Sequence, residues 1–181
     1  DKKKLNYLVI IGDEKMSEEY ILQQNILTVK VDDSYSGFPY KVIKTFNLIN
    51  KLYSYDYIIK TDDDCLLNID KILDNYDYIK KHDYIGRLNN FKHQYNPNWN
   101  GINNKSKYLG PYMNGATGYV LSKKAIETII NYKEQTNKLL LNELYEDKLV
   151  GDILRLNGYE FINHDLWKSN GIELTKINNY K

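Results

Sequence analysis

The sequence predicts an α/β fold in a single domain, on three observations. Short apolar runs bounded by Gly, Asp or Pro alternate with segments whose apolar residues recur at helical spacing. The strongest polar signals stand at the ends of those elements, where open α/β sheets collect their ligands. The 181 residues suffice for one core and fall short of two ordinary domains. The expectation is one domain over residues 1–181, with a mixed, mostly parallel central sheet flanked by helices.

In chain order, Leu5 to Ile11 reads as a first buried strand closed by Gly12 and Asp13. Ser17 suits the N-cap of a short helix from Glu18 to Gln24, with acids in its first turn. Ile26 to Val31 makes a second strand, which suggests βαβ winding. Pro39 fits the first turn of a helix carrying Val42, Phe46, Ile49 and Tyr53 on one face. Asp56 to Thr61 is the third strand. Asn68 can cap a helix running to about Lys81, with Ile69, Ile72, Leu73 and Tyr76 inward. Tyr84 to Leu88 is a short strand, followed by a long polar stretch, Asn89 to Gly110, without period. Trp99 within that stretch suits either ligand stacking or anchoring of the loop. Gly115 and Gly118 precede the strand Tyr119 to Leu121, and Ser122 then caps a helix bearing Ala125, Ile126, Ile129 and Ile130. Glu146-Asp147 open a last helix that ends before Gly158, and Tyr159 to Ile162 is a closing strand with His164 just beyond. The tail from Trp167 carries no period.

Composition narrows the function classes. Lys and Arg number 25 against 24 acids, a net charge of +1, so no global field recruits nucleic acid or an anionic membrane. No run of about 18 apolar residues offers a membrane span. The eighteen tyrosines, with much Asn, Ile and Lys, read first as compositional bias of the source. A single cysteine, Cys65, cannot form an internal disulfide, and a cytoplasmic, reducing setting is expected.

The chemistry concentrates at Asp62, Asp63 and Asp64, which end an apolar strand. Like charges gathered there repel and lose hydration, and an oxygen-liganded divalent cation compensates them, although Asp is also common in turns. If the chain stays extended, Asp62 and Asp64 share a side. Gly115 and Gly118 permit close backbone approach, Glu146-Asp147 put carboxylates at a helix start, and His164 ends a strand. Lys60 can reach a diphosphate, or pair with the acids and stay structural.

Lys60-Thr61-Asp62-Asp63-Asp64 with Asn68 resembles the metal-binding signature of the β-1,3-galactosyltransferase-like glycosyltransferases, the group that includes the Fringe enzymes (glycosyltransferase family 31). Asp33-Ser34-Tyr35 and Lys44-Thr45 are similar to that family's Asp-Ser-Tyr and Leu-Lys-Thr elements. The segment Pro111 to Ser122 resembles its Pro-Tyr-Cys-Ser-Gly-Gly-Gly-Tyr-Val-Leu-Ser, and Glu146-Asp147 with Gly151 its Glu-Asp-Val-x-x-Gly. The four motifs run from about Asp32 to His164 in the family's order.

The resemblance implies a GT-A fold, the Rossmann-like fold of nucleotide-diphospho-sugar transferases. It also implies inverting transfer from a UDP-sugar to a hydroxyl of a glycan or glycoprotein, with Mn²⁺ or Mg²⁺ as cofactor. By it, Asp64 and His164 ligate the metal, Asp62 faces the nucleoside, and Lys60, Asp63, Gly115 and Gly118 lie along the donor. Asp147 is the base that takes the acceptor's proton. The chemistry asks for these types independently: a metal neutralises the departing diphosphate, and a carboxylate remote from it activates the hydroxyl. The family's Arg-rich element before the first strands is missing, so the chain is expected to be a fragment, a minimal enzyme or part of a longer protein. Met113 replaces the family's cysteine and Lys148 its apolar residue after Glu-Asp. A degenerate, non-catalytic nucleotide-sugar or glycan-binding domain is the rival reading, and a metal-dependent phosphodiesterase a weaker one.

Overall fold

A computed structural model describes residues 5–89, 105–132, 143–164 and 172–174. Trp99 and His93 lie outside the described residues, as does most of the long polar stretch.

The chain begins with a small sheet of β1 (Val9–Gly12), β2 (Tyr20–Gln23) and β3 (Ile26–Val29) in the order β1-β3-β2. β1 runs parallel to β3, and β2 pairs with β3 as an antiparallel hairpin. This corrects the helix expected over Glu18 to Gln24. Tyr20, Ile21 and Leu22 are β-formers, and the two-residue turn Gln24-Asn25 closes the hairpin with Gln24 at φ 54°. The first strand is also shorter than expected and not buried, with Val9 and Ile11 48% and 41% exposed. Only the other face, Leu27 and Val29, packs inward, against Leu48 of the following helix.

A 3₁₀ turn (Tyr35–Gly37) leads into α1 (Phe38–Leu52), where Pro39 sits in the first turn as expected. Next come β4 (Tyr57–Lys60), β5 (Cys65–Leu67), α2 (Ile69–Asp74) and α3 (Tyr76–Ile79). The Asn68 side chain accepts from the Lys71 amide at 3.0 Å, capping α2. The single helix expected up to Lys81 breaks at Asn75, whose side-chain amide donates to the Lys71 carbonyl. Then follow β6 (Tyr84–Gly86), β7 (Leu88–Asn89), β8 (Tyr112–Met113), β9 (Tyr119–Ser122), α4 (Lys123–Asn131), α5 (Glu146–Leu156), β10 (Ile162–Asn163) and β11 (Ile172–Leu174). Ser122 caps α4 by accepting from the Ala125 amide, and Gly158 follows α5 at φ 76°, both as the sequence reads.

The site rests on the four-stranded sheet β10-β6-β9-β4. Alternation sends Tyr84, Tyr119 and Leu121 to one face, where α1, α4 and α5 contribute Phe46, Ile126, Leu149 and Ile153. Ile85 and Val120 point to the other face, against Ile79 and Ile72. β11, in the tail left without assignment, pairs with β5. In the central sheet β10, β6 and β4 run one way and β9 runs against them, so the sheet is mixed: β6–β10 pairs in parallel and both pairings of β9 are antiparallel.

Candidate active site

Antiparallel pairing opposes Lys60, the last residue of β4, to Tyr119, the first of β9, with Gly86 of β6 on Tyr119's other side. Three sequence-distant segments therefore leave the sheet at one end: the acidic triplet after β4, the glycine turn before β9, and the strand end at Gly86. α5 packs on β8 and brings Glu146 and Asp147 to the same place.

The glycine turn is tight for stated reasons. The Thr117 amide donates to the Asn114 side chain at 2.9 Å and the Gly118 amide to the Gly115 carbonyl at 3.0 Å. Gly118 stands at φ 82°, and a Cβ there would lie 2.5 Å from the Lys60 carbonyl oxygen, so both conformation and space demand glycine. A Cβ on Gly115 would lie 2.6 Å from Glu146 Oε1 and 2.9 Å from Asp147 Cβ. The two glycines let the turn lie directly on β4 and on the start of α5.

Asp147 is half-buried, and its two oxygens accept from separate backbone amides, Gly115 at 2.9 Å and Lys148 at 2.8 Å. Burial, and next the Glu146 carboxylate, push its carboxyl up to about 7, against the pull of those two amides and of Lys60. A carboxyl poised there exchanges protons at neutral pH. Tyr35 faces the same charges: burial and then Asp147, Asp62, Glu143 and Glu146 hold its phenol above the ordinary value.

Lys60 is the hub. Its ammonium meets Asp62 Oδ1 and Glu146 Oε1, each at 2.6 Å, and donates to the Gly115 carbonyl at 3.3 Å, so all three protons are committed inside the protein. Its side chain is only 11% exposed, beneath the rings of Phe38 and Tyr119 at 5.2 and 5.9 Å. These are the contacts of the structural alternative, in which Lys60 pairs with the acids. Glu146 is buried, and its second oxygen accepts from the Tyr119 hydroxyl at 2.7 Å. Sequence reasoning named Glu146 only as the partner of Asp147 in a motif, without a role of its own, and missed Tyr119. A Tyr opening a strand beside a Lys-terminated one was the only available signal.

The triplet does not stay extended. It folds into a turn in which the Cys65 amide donates to the Asp62 carbonyl at 3.3 Å, leaving Asp63 and Asp64 exposed at the tip. The Cys65 thiol donates to the Ala116 carbonyl at 2.7 Å, tying this turn to the glycine turn. Burial, foremost, raises the thiol's pKa, which makes it an inert tie. His164 is held elsewhere: its amide donates to the Gly86 carbonyl at 3.1 Å and its ring lies on Tyr78 at 4.4 Å. It follows β10, the edge strand opposite β4, three strand spacings away, or about 14 Å along the sheet. Among the described residues no three His, Cys, Asp or Glu side chains cluster closely enough to hold a metal ion. Exposed carboxylate oxygens on a turn still fit a hard divalent cation that takes one or two protein carboxylates and completes its shell with phosphates and water.

Lys148, unexplained by sequence, is fully buried between Glu143 Oε2 at 2.8 Å and Asp152 Oδ2 at 2.6 Å, and donates to Ser106 Oγ at 3.1 Å. Glu143 Oε1 in turn accepts from the amides of Leu144 and Tyr145. The cluster bolts the entry into α5 and the segment around Ser106 together, one residue from Asp147.

The family described as Galactosyltransferase matches residues 8–164. UDP-GalNAc:beta-1,3-N-acetylgalactosaminyltransferase 2 of Xenopus tropicalis is 25% identical over 130 residues, covering 68% of this chain and 26% of that protein. Its Xenopus laevis counterpart is 34% identical over 61 residues, 34% of this chain and 13% of that one. The chain thus spans about a quarter, or less, of the length of these relatives. On the family match, which runs through all four motifs and both ends of the site, the chain belongs to the galactosyltransferase family.

Proposed function

We propose that this domain is a GT-A-type, metal-dependent inverting hexosyltransferase. It moves galactose or an N-acetylhexosamine from a UDP-sugar to a hydroxyl of a glycan or glycoprotein, forming a β-1,3 linkage. One observation carries the reading: Asp147, poised at about 7, hangs on the glycine turn beside the strand end that bears the acidic triplet. The family membership and the names of the Xenopus relatives supply the donor class and linkage.

In this reading the acceptor hydroxyl attacks the anomeric carbon as the bond from that carbon to the diphosphate oxygen breaks. Asp147 takes the hydroxyl proton, and the products are the β-glycoside and UDP. The amides of Gly115 and Lys148 orient the base, and Glu146 with Lys60 holds the turn and helix in register. Asp62 faces the ribose, with Asp63 beside it, and Gly118 lets the backbone approach the sugar. Asp64, exposed at the tip of the acidic turn, would hold Mn²⁺ or Mg²⁺, which when bound would neutralise the charge of the departing diphosphate; His164 would join it only if the end of β10 closed on that turn. Among the described residues no helix is long and apolar enough to cross a membrane. The lone thiol suits a reducing setting, and we extend the proposal to the cytoplasm.

The test is a panel of UDP-sugars and oligosaccharide acceptors with Mn²⁺, reading UDP release and product together. Acceptor-dependent release from at least one donor is expected. Donor binding without release across the panel would instead favour a degenerate binding domain.

A further inference from the structure

The ammonium of Lys60 touches two carboxylates with different tasks. Asp62 stands 34% exposed on the donor side, and Glu146, 6% exposed, lies beside Asp147 on the acceptor side. We propose that Lys60 couples the two halves of the site: when a nucleoside draws Asp62 away, the ammonium's charge turns to Glu146 and Asp147, and more of the base is armed beside a bound donor. The proposal rests on the assignment of Asp62 to the nucleoside end of the donor.

The electrostatics give the sign. Asp147 faces Glu146 on its own helix, Lys60 at the end of β4, Tyr35 ahead of α1, and the phenols of Tyr84, Tyr112 and Tyr119 on β6, β8 and β9. Tyr84, Tyr112 and Tyr119 are all raised, chiefly by burial, and stay neutral at pH 7. Of the charged groups, Glu146 favours the protonated acid and Lys60 the carboxylate, while Glu143 and Arg155 stand farther out around the same phenols. With Asp62 in contact, half of the Lys60 charge is spent. When Asp62 turns to ribose hydroxyls, one anion recedes and one cation is less compensated. Both changes lower the pH at which Asp147 gives up its proton.

The link also explains why Lys60 is buried under two aromatic rings instead of lying in solvent. The rings of Phe38 and Tyr119 keep water off the ammonium, so a change at Asp62 reaches Asp147 with less screening by solvent. Before donor binding about half of Asp147 is protonated at neutral pH, and the donor's arrival raises the ionised fraction.

The experiment follows the Asp147 carboxyl carbon by ¹³C NMR against pH in the intact chain, alone and with uridine. Uridine brings ribose hydroxyls without the charge of a diphosphate. Uridine is expected to lower the Asp147 midpoint by about half a unit or more, and Asp62→Asn to lower it without ligand by about the same amount. Uridine should then add nothing to the Asp62→Asn protein, and Glu146→Gln should lower the midpoint further than either. Uridine that binds, seen by shifts elsewhere, yet leaves the midpoint in place overturns the coupling while the donor assignment stands. Uridine that does not bind at tens of millimolar overturns the donor assignment and the arming with it. An Asp62→Asn midpoint equal to wild type overturns the electrostatic link on its own.

Discussion

Replacing Asp147 with Asn should make the protein more stable and less active, and the size of the gain follows from the site. The carboxyl has an ordinary value of 3.8 and is pushed to about 7 in the fold. The folded state therefore binds more protons than the unfolded chain between those values, and stability falls as pH rises from about 4 to about 7. At 1.36 kcal/mol per unit, the full penalty above pH 7 is about 4 kcal/mol. About 2.5 kcal/mol of it accrues between pH 5 and pH 8. Asn carries none of this, but its amide accepts from only one of the two backbone donors now held, a loss of about 1 kcal/mol. The net gain at pH 8 is about 3 kcal/mol, or about 6–12 °C in Tm for a chain of this size. Urea unfolding of both proteins at pH 5 and pH 8 measures it. Wild type should lose stability across that interval relative to Asp147→Asn, and turnover should fall by about 10² to 10⁴ in the variant. Parallel stability curves for the two proteins would refute the half-buried, proton-holding carboxyl.

Three further outcomes bear on the other parts. Lys148→Met leaves Glu143 and Asp152 buried without their cation and should cost about 3–5 kcal/mol in urea unfolding, whereas unchanged stability would contradict the buried bolt. Asp64→Ala should abolish Mn²⁺-dependent UDP release, and an unchanged rate would remove Asp64 from the proposed metal site. Gly115→Ala forces a methyl against Glu146 and Asp147, and the displaced base should lower turnover by about 10²-fold with donor affinity nearly unchanged; full activity would show that the turn does not position Asp147.

What the sequence made legible was local. Asn68 and Ser122 cap the helices they precede, Pro39 starts α1, and Gly158 ends α5, because each signal acts within a turn of its own position. The helix expected over Glu18 to Gln24 failed for the same locality. Ser17 followed by acids imitates an N-cap, while the hairpin partner that decides the matter, Ile26 to Val29, lies across a turn lacking glycine. Strand pairing was illegible because β4 and β6 each pair with β9 across 33 to 65 residues, with no connection whose length fixes the partner. The site showed the same division. Motifs pointed to Asp147 and the glycines, but the ties of Lys60 to Glu146, Glu146 to Tyr119 and Lys148 to Glu143 are side-chain contacts that exist only after packing.

The claim that Asp147 is the base of a hexosyl transfer is tested most directly by the pH dependence of turnover with donor and acceptor saturating. The rate should rise tenfold per unit at acid pH and level off at or somewhat below pH 7, where Asp147 is ionised. A rate that is flat from pH 5.5 to about 8.5, or that falls as Asp147 loses its proton, would contradict it.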